Sequence, residues 1–320
     1  MDFFTTVPGF YSLLVFGILI LIISGDILVR GSVSLARFFK VSTLIVGVTV
    51  VSFGTSAPEL IVSIIAAIND HSDIAIGNVV GSNISNIALV LALTAIILPI
   101  IVSKNSVKID WPVMMGTGLI LYLFSKFSDK NTLGTYFGII SLILLTSYIL
   151  FIIHKGKKER KHAPEFKKPK YNIYLSLGFI VISIVGMYFG STFLIDGASG
   201  IAANWGVSER VISVTVIAFG TSVPELSTSI IAAIKKESDI SIGNILGSNI
   251  FNVFAILGIT SLIQPIEVSE EFLKSDFLWM FASFVLLLLF IFIPKKYKIT
   301  RVGGAILLAF YIGYISMSFS

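Results

Sequence analysis

The sequence predicts an all-α polytopic membrane protein of ten transmembrane helices, built as two inverted five-helix repeats in which helices 2 and 7 are broken. Three observations predict it. Apolar residues make up 55% of the 320 and charged residues only 13%, whereas soluble domains carry nearer to ~25% charged residues. Ten apolar stretches are long enough for a helix to cross a bilayer, which takes about 20 residues. Residues 52–86 recur at 218–252 without a gap and with 24 of 35 positions identical.

Taken in order, the spans fall at roughly 8–30, 43–69, 72–99, 111–127 and 132–153, then 172–196, 209–234, 238–265, 273–293 and 302–318. Only Asp2, and no basic residue, precedes the first stretch, so it reads as a span rather than a cleavable signal. The longest polar gap, His154 to Lys170, separates halves of similar size. The chain therefore divides into a first five-helix repeat (1–153), a basic cytoplasmic linker (154–171) and a second, inverted five-helix repeat (172–320). The motif-bearing segments are about 43–99 and 209–265. With the linker cytoplasmic, nineteen of the 23 Lys and Arg lie on that side, as the positive-inside rule requires. Both termini then lie outside the cytoplasm, and the expected location is the plasma membrane.

Composition excludes several chemistries. There is no cysteine, so disulfides, thiolate metal sites and cysteine nucleophiles are ruled out. The three histidines (His71, His154, His162) sit in polar stretches, which argues against a histidine-based zinc or haem site. The net charge of +5 comes from basic residues clustered in short loops, a topology signal and not a nucleic-acid surface. No cofactor and no enzymatic activity are expected.

The identities between the two segments include Gly, Thr, Ser, Pro, Glu, Asp and Asn, so they exceed what two greasy helices share by composition. Five spans per unit is an odd number, and the second unit must enter from the opposite side. Asn69-Asp70 becomes Lys235-Lys236 while neighbouring residues stay the same, as a charge rule acting on an inverted copy would leave it. Inverted repeats are characteristic of secondary transporters, with substrate held near the midplane where the copies meet. Channels carry them too.

The two copies read "SFGTSAPE" and "AFGTSVPE" within spans 2 and 7. Glu59 and Glu225 fall near the bilayer centre, where an ionised carboxylate costs roughly 2.5–3.5 kcal/mol on insertion scales. No Lys or Arg lies deep in any span to pair with them, so bound cations or protons must supply the compensation. Pro58 and Pro224 lack a backbone N–H and disrupt the preceding turn, next to Gly54 and Gly220. An unwound turn frees carbonyl oxygens, tolerable at that depth where they line a cavity or bind something. The candidate carbonyl donors are Ser52, Thr55, Ala218 and Thr221, with hydroxyls from Ser56 and Ser222. Spans 3 and 8 add Ser82 with Asn86 and Ser248 with Asn252, each pair at i and i+4 on one helix face. This all-oxygen set of mixed charge suits Ca²⁺, and Na⁺ by similar logic; Mg²⁺ prefers to keep its waters. Soft metals would want sulfur or imidazole.

Other repeated features have plainer readings. Gly77-x-x-x-Gly81 and Gly243-x-x-x-Gly247 read as packing faces that let spans 3 and 8 approach the broken helices. Asp26 and Arg30 read as a structural pair at the membrane interface. Asp73 and Asp239 read as helix caps, and the basic linker as topogenic or lipid-facing.

"GTSAPE" with "GSNISN", repeated as "GTSVPE" with "GSNIFN", resembles the α-repeats of the cation/calcium exchanger superfamily, especially its prokaryotic sodium/calcium exchangers. The resemblance spans the whole chain. It implies sodium/calcium antiport by alternating access, with calcium and sodium ions and the lipid bilayer as partners. By motif position, Glu59 and Glu225 would be shared by both ions and Thr55 and Thr221 would give carbonyls to calcium. Ser56, Ser82, Ser222 and Ser248, with the Ser52 and Ala218 carbonyls, would line sodium positions, and Asn86 and Asn252 would complete the centre. Spans 1 and 6 would slide over the other eight helices. Some relatives carry aspartate where Asn252 stands, so the site here has two nearby carboxylates and not three. The linker is too short for the calcium-sensing domains of large eukaryotic exchangers, so no regulatory calcium-binding domain is expected.

Two ionised glutamates match the charge of one Ca²⁺, and several Na⁺ can replace it on the same oxygens. A calcium/proton antiporter remains the nearest alternative, followed by a passive cation channel. An intramembrane enzyme would need a nucleophile or histidine beside the glutamates, and neither accompanies them.

Overall fold

Helices dominate the computed structural model, which describes residues 6–159, 168–206 and 218–318. In chain order they are α1 (Val7–Phe39), α2 (Thr43–Thr55), α3 (Ala57–Ile68), α4 (Ser72–Ile97), α5 (Ser106–Phe127), α6 (Thr135–Glu159), α7 (Ile173–Asn204), α8 (Ala218–Thr221), α9 (Val223–Ile234), α10 (Ser238–Ile263), α11 (Phe272–Phe292) and α12 (Arg301–Ser318). Seven are long and apolar enough to cross a membrane, or eight if α2 and α3, bent by 46° at their junction, count as one. Val223–Ile234 and Arg301–Met317 are shorter apolar helices. The first part of the expected seventh span, with Arg210, and residues 160–167 of the basic linker lie outside the described residues.

The two halves repeat each other at the same offset of 166 residues that relates their motifs. Two-residue strands at Ile100–Ile101 (β1) and Thr132–Leu133 (β2) recur at Ile266–Glu267 (β3) and Lys298–Ile299 (β4). They pair across the halves, β1 with β4 and β2 with β3, both antiparallel. Left-handed backbone recurs with the same spacing at Lys40 and Gly206, Asp70 and Lys236, and Asn131 and Tyr297. A side-chain tie recurs as well. Tyr148 Oη donates to Asp110 Oδ1 at 2.7 Å, and Tyr314 Oη to Asp276 Oδ1 at 2.9 Å.

α4 and α10 form the centre. In their most apolar stretches 78% and 89% of residues are buried, against 28–39% for α1, α5, α6, α7 and α11, whose outward faces carry exposed Leu, Ile, Val and Phe. That is the pattern expected when lipid and not water bathes the perimeter.

α1 and α7 run together at backbone distance. A Cβ on Gly17 would lie 2.6 Å from Leu194 N, and one on Gly197 would lie 2.5 Å from Leu14 N. Glycines therefore set this contact, as small residues do where membrane helices pack closely. Both helices outrun their expected ends at 30 and 196. At 33 residues α1 is about 50 Å long, and it ends where Lys40 turns left-handed and its N–H bonds back to Ala36 O and Arg37 O.

The plainer readings fare unevenly. Gly243 and Gly247 do admit α2, since Cβ atoms there would meet Leu44 O at 2.9 Å and Val48 O at 2.6 Å. Asp26 pairs with Arg30 at 2.5 Å and also reaches Lys235. Asp73 and Asp239 are not caps. His71 and Glu237 occupy those positions, and the aspartates lie in the first turn, where the helix dipole favours acid.

Candidate functional site

The break in the first motif falls at Ser56, between α2 and α3, and in the second at Ser222, between α8 and α9. Pro58 and Pro224 sit in the first turn of the following helix, where a missing N–H costs nothing within that helix. Each still leaves the carbonyl four residues earlier without its usual donor. In the second copy that carbonyl, Gly220 O, is taken by Ser191 Oγ of α7 at 2.8 Å. Glu59 and Glu225 follow directly, both in the first turns of α3 and α9.

Both carboxylates are enclosed, Glu59 at 1% exposure and Glu225 at 0%. No ion pair among the described residues reaches either, and no three Asp, Glu, His or Cys side chains converge there. Glu225 Oε1 accepts from Ser56 Oγ at 3.1 Å and from Ser248 Oγ at 3.4 Å. Thr55 Oγ1 lies 3.4 Å from Ser248 Oγ and donates to Asn244 Oδ1 at 3.0 Å. Thr55, Ser56, Glu225 and Ser248 thus form one polar network across the two halves.

The remaining expected ligands are buried as well. Asn86 and Asn252 are each 1% exposed, Ser82 4%, Thr221 3% and Ser222 1%. Asn252 Nδ2 donates to Asn83 Oδ1 at 3.0 Å. The Ser52 carbonyl accepts the Ser56 N–H at 3.0 Å and Thr55 Oγ1 at 3.3 Å, and its hydroxyl bonds Gly47 O and Asn244 O. Ala218 opens α8, where the Ser222 N–H bonds to Phe219 O at 3.0 Å.

Several buried oxygens in this cluster have no hydrogen-bond partner: Glu59 Oε2, Glu225 Oε2, Asn86 Oδ1, Asn252 Oδ1 and Ser222 Oγ. Leaving a buried acceptor unsatisfied costs about 1–3 kcal/mol, more for a charged group. One oxygen from each of the two carboxylates and three neutral oxygens make a set that could serve a hard cation, all oxygen and rich in negative charge.

Three supporting residues escaped the reading of the sequence. Asn78 Nδ2 holds Glu59 O at 3.1 Å and Ser63 Oγ at 2.9 Å, and Asn244 Nδ2 holds Ser229 Oγ at 3.2 Å. Both asparagines repeat in "GNVVGSN" and "GNILGSN", so their identity in the two copies was the available signal. Ser191 has no such signal.

The family model described as "Sodium/calcium exchanger protein" matches residues 10–155 and again 175–320. The chain belongs to the sodium/calcium exchanger family. This exchanger is 36% identical to the putative antiporter CaxA of Alkalimonas amylolytica, over 95% of this chain and 97% of that protein. It is 30% identical to the sodium/calcium exchanger MaX1 of Methanosarcina acetivorans, over 97% and 98% of the two chains. Its fold resembles the solved sodium-calcium exchanger NCX_Mj with a TM-score of 0.81 and 32% identity, covering 97% of this exchanger and 99% of that chain.

Proposed function

We propose that this exchanger carries calcium across the plasma membrane against sodium, by alternating access, with both ions using one midplane site. The site comprises Glu59 and Glu225, the hydroxyls of Ser56, Ser82, Ser222 and Ser248, the amide oxygens of Asn86 and Asn252, and main-chain oxygens of Ser52, Thr55, Ala218 and Thr221. The observation that carries this reading is the group of enclosed, unpartnered oxygens that includes two carboxylates with which no lysine or arginine among the described residues pairs. MaX1 and NCX_Mj, which this chain matches along almost its full length, are named as sodium/calcium exchangers.

The architecture in this proposal is ten spans in two inverted units, 1–153 and 172–320, joined by a cytoplasmic linker at 154–171, with both termini outside. The exchange of strands between halves and the constant 166-residue offset of turns and Asp–Tyr ties support a two-fold relation. The charge asymmetry of the loops supports the orientation.

The mechanism follows from charge. Two ionised glutamates balance one Ca²⁺, and several Na⁺ divide the same oxygens, so the ions compete. An empty site leaves both carboxylates uncompensated in a low-dielectric interior, which discourages the unloaded protein from switching sides and enforces exchange.

Vesicles holding the purified protein and loaded with sodium test this directly. Calcium uptake should follow the sodium gradient and disappear in Glu59→Gln. Uptake driven by a pH gradient with no sodium present would instead select calcium/proton exchange. Sodium-driven uptake that survives in Glu59→Gln would remove the carboxylate from the mechanism.

A further inference from the structure

We infer that Asn83 is a positioning residue for the ion site: it holds the Asn252 side chain so that oxygen, and not nitrogen, faces the cation. The inference rests on the exchange reading above and deepens it. An asparagine amide has two unlike ends, one acceptor and one double donor. At a cation site it is useful in only one of its two orientations, and a 180° turn would present an NH₂ group to a positive ion. An aspartate at the same position has no such constraint, because both its terminal atoms are oxygen.

The structure supplies the missing constraint from the other repeat. Asn252 Nδ2, on α10, donates to Asn83 Oδ1, on α4, over 3.0 Å. That leaves Asn252 Oδ1 buried and without a partner, among the unpartnered oxygens of the site. Asn83 is itself held. Its Nδ2 points to Met280 Sδ of α11 at 3.8 Å, and both Asn83 and Met280 are fully buried. If Asn83 turned over, its NH₂ would oppose the NH₂ of Asn252. A relay of three buried side chains on three helices thus has one satisfied arrangement, and it ends with an oxygen aimed into the site.

The counterpart arm lacks this lock. Asn249 occupies in the second repeat the place that Asn83 has in the first. It turns its Nδ2 back to Ile245 O of its own helix at 2.7 Å, and its Oδ1 has no partner. The same motif letter therefore does different work in the two copies. Asn83 orients a ligand, and Asn249 closes on its own helix.

The test is the calcium concentration dependence of sodium-driven uptake, measured on the full-length protein in vesicles. Asn83→Leu should raise the calcium KM about tenfold or more, as expected when a charge-assisted contact is lost, while the maximal rate changes less than about twofold. Asn249→Leu should leave KM within about twofold. The decisive comparison uses the Asn252→Asp background. There Asn83→Leu should shift KM by less than about twofold, because a carboxylate presents oxygen in either orientation. Should Asn83→Leu fail to fold, Asn83→Ala gives the same comparison. A native KM in the single variant, or an equal loss in both backgrounds, would overturn the inference and reduce Asn83 to a packing residue. Absence of sodium-driven uptake by the unaltered protein would overturn the exchange reading, and this inference with it.

Discussion

Ser56 donates a hydrogen bond to Glu225 across 3.1 Å, although the two lie in different halves of the chain. The hydroxyl sits at the break of one motif and the carboxylate in the first turn after the break of the other. The first half therefore shapes the acid contributed by the second, whereas the counterpart hydroxyl, Ser222 Oγ, has no hydrogen-bond partner. Removing the hydroxyl frees Glu225 Oε1 from one of two serine contacts, the other being Ser248 at 3.4 Å. Ser56→Ala should raise the calcium KM roughly three- to tenfold, in line with the net worth of one hydrogen bond. Uptake kinetics in vesicles measure it.

The two Asp–Tyr ties are equal in connectivity and unequal in burial. Asp110 is 3% exposed and its Oδ2 has no partner, whereas Asp276 is only half-buried. Tyr148→Phe leaves both Asp110 oxygens enclosed and unbonded, which should cost roughly 1–3 kcal/mol or more. Tyr314→Phe should cost less, because Asp276 is only half-buried. Thermal unfolding in detergent should rank Tyr148→Phe as the less stable variant.

The α1–α7 contact has no room for side chains at its glycines. Gly197→Val places atoms against Leu14 N and Phe10 O, 2.5 and 2.6 Å from the first added carbon, and backbone cannot step aside as a side chain can. The yield of folded protein should fall sharply. Gly116→Ala, on α5 with nothing within 4 Å of the added carbon, should fold normally and gain up to about 1 kcal/mol from helix propensity. Size-exclusion profiles of the two variants give the comparison.

Much of this was legible in the residues. The 166-residue repeat exposed the motif pair, and the burial of Glu59 and Glu225 followed from their place within apolar stretches. The break at Ser56 followed from Pro58. Other features depend on what lies opposite in space. Nothing near Gly17 in the sequence announces Leu194, and nothing near Asn83 announces Asn252. The wide turns at Asn86–Leu91 and Asn252–Leu257 insert a single residue's worth of slack, too little to disturb a hydrophobic period. The true ends of α1 and α7 were hidden because Arg37 and Lys40, or Asn204 and Trp205, read as loop while tertiary packing keeps the helix going.

The central claim is that a cation sits between Glu59 and Glu225, and the most direct measurement is a crystal of this protein soaked with calcium or strontium. A metal with six to eight oxygen ligands at about 2.3–2.6 Å, including both glutamates, is the predicted result. Glutamates bridged by a shared proton or held by a lysine or arginine, with no metal between them at saturating calcium, would contradict it.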